Sequence, residues 1–262
     1  MIAYHGSAEL KEQMVAAAVR HRELEILAKG CGYWDGSNGC AVGCSIETVN
    51  RLRGENYDHD DHGAFEPALG VPYVLARLQD GLFESLPAEH RQAWPERFFA
   101  AIPVGADLSG VGDRFMHYLL VDPTEGVLRF ARNDEQRTAI MRVAALYERR
   151  IAGNVVGKEE WEVAAAAAYA ADACSAAVCA AVYAAYAAAA AAAADDAAAY
   201  AADDAAAYAA DADAAAYAAD DAAAYAADDA AADADAADAD ADAAAARVRQ
   251  AEKLLELMAG ER

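Results

Sequence analysis

The chain has 262 residues and a formal net charge of −23, which is long enough for one or two domains with real cores. The charge is unevenly spread. Residues 164–246 hold 16 Asp and no Lys, Arg or Glu. Such a field disfavours direct contact with DNA, RNA or an anionic membrane and favours a basic partner.

The opening MIAYHGSAELKEQ has no apolar stretch of signal-peptide length, so a soluble, cytoplasmic chain is expected. The Ala-rich run further on is long enough to span a bilayer, but Asp interrupts most of it, and Asp at a bilayer centre is costly. Five Cys, an odd number, point to reduced thiols or a metal rather than a disulfide framework.

In chain order, AELKEQMVAAAVRHRELEILAKG reads as an amphipathic helix closed by Gly30. CAVGCSIETVNRLRG gives a second, shorter helix. PALGVPYVLARLQDGLFESL starts at a Pro turn and gives a third. PAEHRQAWPERFFAAI and LSGVGDRFMHYLL follow, separated by a turn over Pro103–Gly105. The short GVLRFA is the one strand-like piece. NDEQRTAIMRVAALYERRIAG has Asn133 as N-cap and Gly153 as stop. The expected fold class is all-α, a helical globular domain followed by a long Ala-rich helical region.

The clearest boundary lies near Gly157. All six Pro precede residue 124, and between Gly157 and Gly260 there is neither Gly nor Pro. This divides the chain into 1–157, a helical globular domain, and 158–262, an Ala/Asp/Tyr-rich helical repeat. Ala is the best helix former, Glu159, Glu160 and Glu162 suit a helix start, and Arg247, Arg249 and Lys253 suit its end. One continuous helix here would span roughly 150 Å; helices folded back on themselves are the alternative.

Within the repeat, Tyr200, Tyr208, Tyr217 and Tyr225 are spaced by 8, 9 and 8 residues. At about 100° per residue they do not form one stripe, so neither a coiled-coil seam nor an amphipathic membrane helix results. The same angles deny the flat face that ice or mineral binding needs. Asp233, Asp235, Asp238, Asp240 and Asp242 lack the Gly turns and bidentate Glu of calcium loops. Each of the four Tyr has an Asp four residues before it, a neighbour on a helix surface. Asp203, Asp204, Asp220, Asp221, Asp228 and Asp229 form charged pairs along the same row. A single such helix carries about one charge per 4.8 Å, against about one per 1.7 Å for duplex DNA. Imitation of nucleic acid therefore requires paired helices, whereas capture of a basic protein or self-association through the Ala surface does not.

The segment from Cys31 to Glu66 is chemically the richest. Cys40 and Cys44 share a helix face, and His59 and His62 follow at a distance that permits closure of a zinc site, with Cys31 as a spare ligand. A metal site would thus centre on Cys40, Cys44 and His62. A thiol enzyme is the other chemical reading: Cys40 follows Gly39 at a possible helix N-terminus, where a thiolate is stabilised, and His62 could serve as base. Small buried thiols packed beneath Trp34 are the plainer explanation.

AYHG, YWDGSNGCAVGCSI, DHGAFEPALGVP, WPERFFAAIPVGADLS and the closing AEKLLELM resemble a family of uncharacterised bacterial alanine-rich proteins with a GCAVGC-containing N-terminal domain. In similar sequences a large residue, often Trp or Arg, stands at about every fourth tail position, one helical turn. Here Asp and Tyr take those places. The resemblance implies a shared Ala framework acting as a scaffold, and no activity. The sequence as a whole points to a non-enzymatic binding or scaffold protein, with a metalloprotein or thiol enzyme at Cys40, Cys44 and His62 as the alternative.

Overall fold

The computed structural model describes residues 1–30, 33–171 and 236–261. The fold is all-α. Among the described residues there are ten α-helices: α1 (Ala8–Glu23), α2 (Ala41–Arg53), α3 (Phe65–Leu69), α4 (Tyr73–Ser85), α5 (Ala88–Arg91), α6 (Trp94–Ala101), α7 (Val111–Val121), α8 (Asp134–Ile151), α9 (Lys158–Ala171) and α10 (Ala236–Ala259). Extended pairing among those residues is confined to isolated bridges at Ile2–Asp107, Leu27–Gly39 and Trp34–Gly39. None of the described helices is long and apolar enough to cross a membrane.

Contacts divide the chain into two compact units, Met1–Gly112 with Arg247–Arg262, and Asp113–Ala246. In the first, α1 packs on α2 and α6, and α4 packs on α2, α3 and α6. Leu75, Leu78, Phe83, Trp94, Phe98 and Phe99 are fully buried, as expected of a core built from one apolar stripe per helix. Local chemistry fixes the helix ends. Ser7 caps α1 by accepting from the Leu10 amide at 3.1 Å. Lys11 Nζ reaches the Ala100 and Ile102 carbonyls at 2.8 and 2.7 Å, which satisfies carbonyls that the end of α6 leaves open. Gly70 ends α3 in the left-handed region at φ 64°, and a Cβ there would meet the Ile2 carbonyl oxygen at 2.0 Å. Only glycine fits.

Several expectations change: the third helix is divided between α3 and α4, and the stretch after Pro87 between α5 and α6. The first helix stops at Glu23, before Gly30, because Glu25 turns left-handed at φ 55°. The chain from Ile26 then runs extended, with Ala28 donating to the Gly39 carbonyl and Gly39 donating to that of Ile26. The strand-like GVLRFA is a 3-10 turn over Val127–Phe130; a strand needs a neighbour to pair with, and the bridges found among the described residues lie elsewhere.

In the second unit α8 and α9 form a helical hairpin. Asn133 Oδ1 accepts from the Gln136 amide at 2.8 Å, and Gln136 Oε1 accepts from the Arg132 amide at 2.7 Å. This reciprocal cap resembles a capping box. Gly153, left-handed at φ 81°, follows the end of α8, in agreement with the sequence. Trp161 and Tyr147 are buried with ring centroids 4.8 Å apart, and Ala164, Ala165 and Ala168 continue the buried face of α9. Far along the chain, Ala251, Leu254 and Met258 of α10 are buried too, and Arg97 pairs with Glu252 at 2.6 Å within the first unit. Trp161 and Leu254 thus anchor the start and the end of the Ala-rich region in packed structure. The Tyr and Asp residues singled out between them, Tyr200 to Asp229, lie outside the described residues, as does any path of the repeat.

Candidate functional site

The described residues with the most chemistry cluster where the first turn of α2 meets α4 and the 3-10 turn His62–Ala64. Cys40 is the N-cap of α2: its backbone is extended (φ −70°, ψ 177°) and its Sγ accepts from the Gly43 amide at 3.4 Å. Asp61 starts the 3-10 turn by accepting from the Gly63 amide at 2.8 Å, which holds the His62 ring inward. Pro72 precedes α4, a helix whose apolar stripe faces the core and which also carries Arg77, Gln79 and Asp80.

His62 is 3% exposed. Its Nε2 lies 3.0 Å from Asp80 Oδ2 and its Nδ1 lies 3.0 Å from the Asp60 carbonyl oxygen. Both neighbours carry acceptor oxygens. Arg77, also buried, places a guanidinium nitrogen 3.5 and 3.4 Å from the two ring nitrogens, so it touches the ring as a whole. Tyr33 and Tyr73 meet the imidazole edge-to-face at 5.5 and 6.2 Å. The ring is enclosed.

The Asp80 charge acts on the Cys40 thiol. Burial pushes the Cys40 thiol pKa far up, and the Asp80 charge adds to the rise, outweighing the amides of Gly43 and Val42. The helix N-terminus foreseen for Cys40 is therefore present, but the stabilised thiolate is not: desolvation exceeds what two amides return. Cys40 sits here as a neutral thiol. Cys44, one turn on, is 1% exposed.

Asp80 thus pairs with His62 and places its charge near Cys40, a part that the sequence did not reveal. Nothing in periodicity distinguishes it from the adjacent polar residues of α4. His59, the other imidazole of the segment, goes elsewhere: its Nε2 pairs with Glu47 Oε2 at 2.9 Å and its ring stacks on Trp34 at 6.0 Å. Among the described residues no group of three or more His, Cys, Asp and Glu is placed to hold a metal ion; Cys31, the spare ligand, lies outside them.

The glycines of GCAVGC have a packing reason. A Cβ on Gly43 would stand 1.6 Å from the Tyr33 carbonyl oxygen, and one on Gly39 would stand 2.3 Å from the same atom. The Tyr33 backbone rests directly on the start of α2. Gln79, at 0% exposure, is a second oddity: Trp94 Nε1 donates to its backbone carbonyl at 2.9 Å, while both atoms of its side-chain amide are buried without a partner. Comparison with protein-family models, with curated proteins and with solved structures gives no match.

Proposed function

We propose that this protein is a non-enzymatic binding scaffold whose Ala-rich acidic segment captures a basic partner or a second copy of itself. The observation that supports this reading is the anchoring of that segment at both ends. Trp161, Ala164, Ala165 and Ala168 are packed in α9, and Leu254 and Met258 are packed in α10. A segment joined to folded structure at both ends has less freedom to lose on binding than one joined at a single end. Its charge is wholly negative, with 16 Asp and no Lys, Arg or Glu over residues 164–246, and this selects for basic surfaces.

The test replaces Asp203, Asp204, Asp220, Asp221, Asp228 and Asp229 by Asn, which keeps shape and removes charge. Pull-downs at low salt with the two proteins are compared, together with sedimentation. Loss of basic proteins from the variant supports capture. Unchanged captured sets with unchanged self-association favour the Ala/Tyr framework as the scaffold, and a monomer that captures nothing in either form overturns the proposal.

A second reading, a thiol enzyme or zinc protein centred on Cys40, Cys44 and His62, draws on the His62–Asp80 pair and on the Asp80 charge that acts on Cys40. The burial of Cys40 weighs against it. Metal content of the purified protein, and its loss in Cys44→Ser, decide the zinc form of this reading.

A further inference from the structure

We draw no further inference here: the strongest candidate, the exposed apolar patch of Ile151, Val155 and Val163 around the α8–α9 connection, carries nothing because nothing in the structure shows what covers it.

Discussion

Replacing Gly43 by Ala puts the packing of the Cys40 site under direct strain. In an ordinary helix the change is favourable by up to roughly 1 kcal/mol, since Ala restricts the unfolded chain and suits the helix. Here the new methyl would lie 1.6 Å from the Tyr33 carbonyl oxygen and 2.3 Å from its carbon. The obstacle is backbone, so either the Tyr33 segment or the first turn of α2 must retreat by more than an ångström. Overpacking of this kind costs about 1–3 kcal/mol, and a rigid obstacle places it toward the upper end. The expected net loss is about 1–2 kcal/mol, or roughly 2–8 °C in melting temperature for a chain of this size. Tryptophan fluorescence during thermal unfolding reads it, with Gly157→Ala as control, because a Cβ at Gly157 meets nothing within 4 Å. A second readout is chemical: a retreat of the first turn of α2 loosens the packing around the buried thiols at its start, so native alkylation of Cys40 or Cys44 should accelerate. A Gly43→Ala protein as stable as wild type, with thiols as slow to react, would refute the close approach.

Cys40 in the folded protein should be alkylated far more slowly at neutral pH than the same residue in urea, because burial and Asp80 keep it protonated; peptide mapping that finds it as reactive as in urea contradicts this. Asp80→Asn should shift the onset of its reaction to lower pH without reaching that of a free thiol, since burial remains. Gln79→Met removes two unpartnered buried amide atoms at similar volume, and the urea midpoint should rise by the equivalent of about 1–3 kcal/mol; a lower midpoint means that the amide has a partner. Asp35 accepts from the amides of Asn38 and Ser37 at 2.7 and 2.8 Å, which pulls its pKa down to about 2. Because the folded value is depressed, the contribution is present above the unfolded value of about 4 and lost as pH falls toward 2. A carboxyl NMR titration with an Asp35 midpoint near 4 would contradict the turn.

The helical class was legible because the signals that set it are local. Asn133 and Gly153 mark the ends of α8 by side-chain chemistry and by backbone freedom, and both act as read. Gly54 closes α2 in the same way, at φ 68°. The end of α1 was not legible, since Leu24, Ile26 and Leu27 continue an apolar pattern that a left-handed Glu25 interrupts. Its cause is non-local: the chain turns in order to meet Gly39. The site shows the same limit. Cys40, Cys44 and His62 attracted notice as residue types, and Cys40 does start a helix. Asp80, which pairs with His62 and whose charge acts on Cys40, is separated from them by 18 and 40 residues of sequence, and only packing brings it there. The burial that silences the thiol is equally invisible to spacing.

The anchors at the two ends of the Ala-rich region have a genetic consequence. A nonsense codon or frameshift anywhere in the repeat deletes Leu254 and Met258, which are fully buried in the first unit, along with the acidic residues downstream. Such alleles should behave as folding defects and not as the loss of an appendage. In-frame slippage, by contrast, leaves Trp161 and Leu254 untouched, and for a flexible closure each doubling of length costs only about 0.6 kcal/mol. Nearly identical units such as DDAAAYAA are therefore free to multiply or contract while the termini of the region stay under selection. Removing the repeat cleanly calls for excision from the inside, with both anchors retained and a short linker joining them.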